Sequence, residues 1–135
     1  MLEKDWFRQI VLFYLRNAPW SFGKEYFMHG VIGHSPNQVW YRNRDGIFFD
    51  LELNDYVQKR IYCFDYFEHR YIKFAKKFIK KEDVIFDIGA HVGQFAFMAA
   101  KRVGLYGNVY AFEPNPVTFQ SLKKNHKMQF SENRC

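Results

Sequence analysis

The sequence has few cysteines and no long uninterrupted hydrophobic run. Among its 135 residues only two are cysteines, Cys63 and Cys135, too few for the disulfide framework of a small secreted protein. No histidine or cysteine spacing typical of zinc ligation occurs, so we expect no metal site. The apolar run from Ile10 to Leu15 is too short to cross a bilayer, and no signal-peptide cleavage site follows it. We therefore expect a cytoplasmic protein without a transmembrane segment.

The composition indicates a folded chain with a mild positive charge. Hydrophobic residues make up 48% of the chain and aromatic residues 21%, enough for the packed core of one small domain. The 20 basic and 14 acidic residues give a formal net charge of +6. This excess suits nucleic acid, anionic lipid or a phosphorylated substrate without selecting one of them, so charge alone decides no function.

The N-terminal segment predicts one helix followed by a loop. Apolar residues recur there at helical spacing, and the pattern ends before Pro19. We expect this amphipathic helix to pack its stripe on its own domain, with weak contact to a membrane surface or a partner as the alternative. Residues 19–36 contain three glycines and no sustained period, so we interpret residues 1–37 as a helix and loop and residues 38–135 as the main domain. The stripe consists of Leu2, Trp6, Ile10, Phe13 and Tyr14.

A β-hairpin and a second helix are predicted next. Alternating apolar residues between Val39 and Leu53 flank a turn that contains Asp45 and Gly46, a hairpin signal. Asn54 or Asp55 then suits a helix N-cap. Along that helix an aromatic stripe of Phe67, Tyr71, Phe74 and Phe78 is predicted to face inward. We interpret the basic residues on its other face as solvated and predict no nucleic-acid site; these are Arg70, Lys73, Lys76, Lys77, Lys80 and Lys81.

The C-terminal third has a β-α-β-α pattern. Residues 84–88 and 108–112 form short apolar runs without alternation, typical of parallel strands that are buried on both faces. A glycine-rich turn and a helix separate them, and Asn115 and Pro116 suit the N-cap and first position of a further helix. Parallel strands joined in this way bind ligands at their carboxyl ends. Asp87, Gly89 and Glu113 are expected at that edge.

These residues suit a nucleoside ligand. Gly89 and Gly93 allow a tight turn and close approach of a ligand, and the amides that begin the helix favour an anionic group. Glu113 can accept hydrogen bonds from both ribose hydroxyls and follows Gly93 at about the 20-residue offset of the dinucleotide fingerprint. His91, however, stands where that fingerprint needs glycine, which disfavours NAD. Asp87 would repel a pyrophosphate but attract the α-ammonium of a methionine moiety, which favours S-adenosylmethionine.

Two motifs stand out in this part of the chain: D-I-G-A-H-V-G at residues 87–93 and F-E-P-N-P at residues 112–116. Together with the segments before them, over about residues 40–125, they resemble the first half of an FkbM-family methyltransferase domain. The resemblance implies an α/β, Rossmann-like class I methyltransferase fold, incomplete after its first two parallel strands and preceded by a β-hairpin and an N-terminal helix. It also implies S-adenosyl-L-methionine as cofactor. The residues that it assigns to cofactor binding are Asp87, Gly89, Ala90, His91, Gly93, Glu113, Pro114 and Asn115.

The resemblance further implies methyl transfer, commonly to a hydroxyl of a sugar, polyketide or lipid-linked acceptor, so a small-molecule or glycan acceptor is expected. No catalytic base is identified; we interpret His91 as covering the cofactor. The family commonly has glycine where Asp65 stands, while its glutamate is retained as Glu68. The sequence lacks the family's later D-x-E-G-x-E segment, so we expect the N-terminal half of an enzyme that self-associates through exposed sheet edges. The alternatives are a non-catalytic cofactor-binding or interaction remnant and an NAD-dependent oxidoreductase fragment.

Overall fold

The computed structural model describes residues 3–18, 23–33 and 35–131. They fall into two compact units, one within the ranges 1–39 and 51–67 and the other within the ranges 40–50 and 68–135. The domain boundary between residues 37 and 38 stays a prediction. The elements in chain order are α1 (Glu3–Asn17), α2 (Lys24–Gly33), β1 (Gln38–Arg42), β2 (Phe48–Glu52), α3 (Tyr56–Phe64), α4 (His69–Phe78), β3 (Val84–Ile88), α5 (Gln94–Val103), β4 (Asn108–Phe112) and α6 (Pro116–Ser131).

Helix α1 forms where the sequence predicts it, but its buried face differs from the predicted one. Val11, Leu12 and Leu15 are buried, in the unit where α1 contacts α2 and α3. The prediction that the apolar stripe of this helix faces inward was wrong, because its members Trp6, Ile10 and Phe13 are exposed. Leu2 of that stripe lies outside the described residues. Both sides of the helix are apolar, and the smaller aliphatic side fits between the neighbouring helices.

Residues 24–33 form helix α2, so the prediction of a loop for this segment was wrong. Met28 and Val31 are buried, and the ring of Phe27 lies 5.6 Å from that of Tyr14 in α1. The Lys24 ammonium donates hydrogen bonds of 3.0 and 2.7 Å to carbonyls at the end of α1. These tertiary contacts offset the low helix propensity of the glycines in the segment.

The β-hairpin is confirmed. Strands β1 and β2 pair as a two-stranded sheet, and the turn closes where the Gly46 amide donates to the Asn43 carbonyl at 2.9 Å. Gly46 has φ +71°, a left-handed conformation that favours glycine. Phe49 and Leu51 are fully buried on β2.

The segment predicted as one helix forms two. Asp55 caps α3 by accepting a hydrogen bond from the Gln58 amide at 2.8 Å, as predicted for one of the two candidate caps. The chain then breaks at Asp65 and Glu68, which have φ values of +75° and +51°. Asp65 therefore takes the left-handed backbone that a glycine would take at this position.

The prediction that the aromatic stripe of α4 faces inward was wrong. Ile72 and Ala75 form the buried side of the helix, whereas Tyr71, Phe74 and Phe78 are exposed. Residues 72, 75 and 79 make a second apolar row at helical spacing, and this smaller row packs against the rest of its unit. The larger aromatic side chains are left in solvent.

Strands β3 and β4 are parallel, with Val84 opposite Asn108 and Ile88 opposite Phe112. Helix α5 packs on this pair. The α/β class is therefore confirmed, and a parallel pair with helices is consistent with part of a Rossmann-like fold.

One face of this parallel pair is exposed, so the prediction of strands buried on both faces was wrong. Because side chains alternate between faces along a strand, Val84, Phe86 and Ile88 share one face, and all three are exposed. On that face the Phe86 ring stacks on those of Tyr110 and Phe112, with centroids 5.2 and 6.3 Å apart. The described helices thus leave an apolar surface of the sheet uncovered.

Candidate functional site

The turn that follows β3 is tied to the end of β4. The amides of Gly89 and Ala90 both donate to the carbonyl of Phe112, at 2.8 and 2.9 Å. The turn then closes with a 2.8 Å hydrogen bond from the Gly93 amide to the Ala90 carbonyl, and α5 begins at the next residue. These bonds place the glycine-rich turn at the carboxyl edge of the parallel pair, as the sequence predicts.

The Glu113 carboxylate connects the two turns at this edge. Its Oε2 accepts a 2.9 Å hydrogen bond from the His91 amide, and its Oε1 accepts one of 2.9 Å from the Asn115 amide. His91 has φ +52°, a left-handed backbone conformation within the glycine-rich turn. A carboxylate oxygen can accept more than one hydrogen bond, so both oxygens retain capacity for a further donor.

The two glycines of the turn have different surroundings. A Cβ at Gly93 would lie 2.4 Å from the Phe97 ring and 2.8 Å from Leu122, so any larger residue here would force these two side chains to shift. A Cβ at Gly89 would meet nothing within 4 Å. Both have positive φ, +85° at Gly89 and +92° at Gly93. Gly93 therefore serves packing as well as the turn, whereas Gly89 presents its backbone to open space that a ligand can enter.

Asp87, the penultimate residue of β3, carries a half-buried carboxylate at the same edge. Burial raises the pKa of this carboxyl, the negative charge of Glu113 adds to the rise, and a hydrogen bond from the Ala96 amide opposes it. Its Oδ2 is buried and has no hydrogen-bond partner among the described residues. An unsatisfied buried oxygen is costly, so a cationic donor at this point would stabilise the ionised form.

The remaining predicted site residues lie at the same edge. Ala90 is buried inside the turn, whereas Pro114 and Asn115 are exposed at the end of β4. The Asn115 Oδ1 accepts hydrogen bonds from Val117 at 2.9 Å and Thr118 at 3.3 Å, which confirms it as the N-cap of α6. The structure thus brings together all the side chains and turns that the sequence assigned to one site.

A buried asparagine that the sequence analysis missed supports this site. Asn125 of α6 is fully buried, and its Oδ1 accepts a 2.8 Å hydrogen bond from the Asp50 amide while its Nδ2 donates one of 3.1 Å to the Val92 carbonyl. The Asp50 carboxylate also pairs with Lys124. The available signal was a polar residue in the apolar register of α6, three positions after Leu122. Asn125 links the hairpin to the glycine-rich turn.

Within residues 3–18, 23–33 and 35–131, no group of three histidine, cysteine or acidic side chains is arranged to hold a metal ion. No helix of the described chain is both long and apolar enough to span a bilayer.

Comparison with known proteins is consistent with this geometry. Residues 87–132 match the family model of the methyltransferase FkbM domain, a range that begins at Asp87 and includes both turns. The hexuronic acid methyltransferase AglP of Haloferax volcanii is 39% identical over 46 residues, which are 34% of this chain and 18% of that protein. The chain thus matches less than a fifth of the length of this curated relative. Over residues 87–132, about a third of its length, the chain is therefore similar to the methyltransferase FkbM domain.

Proposed function

We propose that this chain carries the cofactor-binding part of an S-adenosylmethionine-dependent methyltransferase. The observation that carries the proposal is the edge at which Asp87, the open backbone of Gly89 and the Glu113 carboxylate come together within a segment matched to a methyltransferase family. Bound there, the cofactor would supply an activated methyl group on a sulfonium centre. The chain's own residues bind and orient it.

The residues present fit this cofactor. The buried, unsatisfied Oδ2 of Asp87 suits the α-ammonium of a methionine moiety, which would supply both a positive charge and hydrogen-bond donors. Glu113 is placed to accept from ribose hydroxyls while it holds the His91 and Asn115 amides. The space beside Gly89 admits the ligand without a Cβ in the way. Pro114 and Asn115 would border the adenine, and Ala90 and His91 the ribose end.

For the complete enzyme we propose O-methylation of a sugar hydroxyl, with polyketide or lipid-linked hydroxyls as the other members of the class. The name of the relative, a hexuronic acid methyltransferase, supports a sugar acceptor. Rate acceleration in such a transfer comes mainly from in-line positioning of the acceptor oxygen and the methyl group. We assign the present chain to cofactor binding rather than to acceptor binding.

Titration calorimetry with S-adenosylhomocysteine tests the cofactor site. We expect saturable binding that Asp87→Asn and Glu113→Gln each weaken by at least about tenfold, because each removes a charge that faces the ligand. Glu82→Gln is the matched control, since it removes an exposed carboxylate just before β3, at the opposite end of that strand. Binding that both site variants leave unchanged would overturn the assignment.

The same titration separates the alternatives. NAD is the second ligand, and binding of NAD in place of S-adenosylhomocysteine would favour an oxidoreductase fragment, against the argument from Asp87 and His91. A folded chain that binds neither ligand would favour an interaction remnant. Circular dichroism shows whether each variant is folded, so that a missing heat of binding can be assigned to the site.

A further inference from the structure

Helix α4 exposes a row of aromatic side chains that packing does not require. Tyr71, Phe74 and Phe78 are 53%, 60% and 60% exposed, and we call these three residues the aromatic ridge. The Phe74 and Phe78 rings pack on each other with centroids 4.5 Å apart, and Tyr71 stacks on Phe95 of α5 at 5.6 Å. The ridge is therefore an ordered apolar surface. Exposed apolar patches of this kind mark sites of interaction.

A row of cations runs beside the ridge. Arg70, Lys73 and Lys77 of α4 are all exposed, and we call these three residues the basic row. Within the described ranges, none of their side chains forms an ion pair or hydrogen bond, in contrast to Lys76, which pairs with Asp45. Like charges three and four positions apart on a helix repel each other. An anionic partner would remove that repulsion.

The two rows together are more specific than either alone. A solvated helix face explains the cations, but it does not explain three adjacent aromatic side chains that face water. A helix that lies in a membrane interface needs both features, an apolar row that enters the boundary between headgroups and acyl chains and cations that contact the phosphates. The formal net charge of +6 is compatible with an anionic surface of this kind.

We propose that α4 docks this protein on an anionic lipid surface, with the aromatic ridge inserted and the basic row on the headgroup phosphates. Single-stranded nucleic acid fits less well, because bases stack on separately accessible ring faces. Here Phe74 and Phe78 cover each other, and Phe95 covers one face of Tyr71. The proposal goes beyond the cofactor site and does not depend on it.

Co-sedimentation of the full chain with vesicles tests the proposal. We expect the chain to pellet with equimolar phosphatidylserine and phosphatidylcholine, to pellet poorly with phosphatidylcholine alone, and to be released by high salt. The double variant Lys73→Gln/Lys77→Gln should bind the anionic vesicles about tenfold or more weakly, because each cation near such a surface contributes substantially to binding. Phe74→Ser should weaken binding without changing the salt dependence.

Matched variants make the result specific. Lys123→Gln/Lys127→Gln removes two exposed cations at the same spacing on α6, and Tyr106→Ser removes an exposed aromatic ring outside α4; both should bind like the parent. Since the substituted side chains are exposed, folding should survive, and thermal unfolding checks this. The proposal is overturned if the α4 double variant binds anionic vesicles as tightly as the parent, or if the α6 control loses as much vesicle binding as the α4 double variant.

Two other partners are distinguished in the same experiment. If a single-stranded oligonucleotide binds with dependence on Lys73 and Phe74 while vesicles do not, α4 is a nucleic-acid surface and the lipid assignment is overturned. If the Phe74 variant instead abolishes self-association of the parent and vesicles have no effect, α4 is an interface between copies of the chain. Retained binding of S-adenosylhomocysteine in the α4 variants would show that the two sites are independent.

Discussion

The Glu113 carboxylate accepts a 2.9 Å hydrogen bond from the His91 amide. Glu113 directly follows β4, and His91 lies in the turn that follows β3, so this bond joins the ends of the two strands. The same carboxylate accepts from Asn115 on its own turn. A single side chain thus sets the separation of the two turns at the carboxyl edge of the parallel pair. Binding and local stability are expected to change together when it is replaced.

Replacement of Glu113 by alanine should lower the free energy of unfolding by about 1–3 kcal/mol, because two backbone amides lose a charged acceptor. Glu113→Gln should lower it less, since the amide carbonyl keeps one acceptor for these donors. Urea denaturation of the parent and both variants measures the difference. An alanine variant as stable as the parent would show that water replaces the carboxylate without cost.

The two turn glycines should respond differently to alanine. Gly93→Ala combines a positive φ with a contact of 2.4 Å to the Phe97 ring, so we expect a loss of about 2–5 kcal/mol in the free energy of unfolding. Gly89→Ala should lose only about 1–2 kcal/mol, from its backbone conformation alone. Its Cβ, however, enters the open space beside the turn. We therefore expect Gly89→Ala to lower the free energy of S-adenosylhomocysteine binding, measured by calorimetry, by more than it lowers the free energy of unfolding. If Gly89→Ala and Gly93→Ala lost the same free energy of unfolding, this distinction between the two glycines would be wrong.

Asp87 should make stability depend on pH in a definite direction. Its folded-state pKa is raised above 3.8, chiefly by burial, so the native state holds this proton more tightly than the unfolded state does. The contribution of Asp87 to stability therefore falls as the pH rises from 3.8 through the raised pKa, and it stays low above that. Asp87→Asn should be more stable than the parent at neutral pH. This advantage should disappear as the pH is lowered through the raised pKa of Asp87 toward 3.8.

Urea denaturation across that pH range measures the effect, and the calorimetric titration shows whether the more stable variant has lost the ligand. Such an exchange of stability for binding is common at functional sites. An asparagine variant less stable than the parent at neutral pH would mean that the carboxylate is stabilised by its surroundings, against the direction of the pKa shift.

Asp65 offers a test of backbone strain. Its φ of +75° is unfavourable for a residue with a Cβ. Asp65→Gly and Asp65→Ala both remove the carboxylate, but only the alanine variant keeps the Cβ. We expect the glycine variant to be more stable than the alanine variant by about 1–2 kcal/mol, measured by thermal or urea unfolding. Equal stabilities would indicate that the chain relaxes to a negative φ at this position.

The exposed face of the β3–β4 pair predicts self-association. Phe86 is 62% exposed on a face where parallel sheets are normally covered, so copies of the chain should associate as concentration rises. Phe86→Thr should shift sedimentation velocity profiles toward monomer, whereas Tyr106→Thr, which replaces an exposed aromatic outside the strands, should not. A parent chain that stays monomeric at all concentrations would refute the prediction.

Much of the candidate site was predictable because its chemistry is local. A turn after Asp87 needs residues that tolerate positive φ, an N-cap needs a side chain such as that of Asn115, and the proposed ribose contact needs an acid such as Glu113 at a strand end. Each requirement concerns a few consecutive residues, so it leaves a pattern that can be read directly. The role of Asn125 was not predictable in this way, since its partners Asp50 and Val92 lie far from it in the chain.

The sequence by itself determined the hairpin turn, the β-α-β-α order of residues 84–131, and which residues meet at the carboxyl edge of the sheet, because periodicity and turn chemistry are properties of short segments. Only the tertiary structure decided which face of α1 and α4 is buried, that residues 24–33 are helical, and that one face of β3 and β4 is exposed. Each of these helices has two apolar rows, and the choice between them depends on the shape and size of what packs against it. The same choice leaves the aromatic ridge of α4 in solvent.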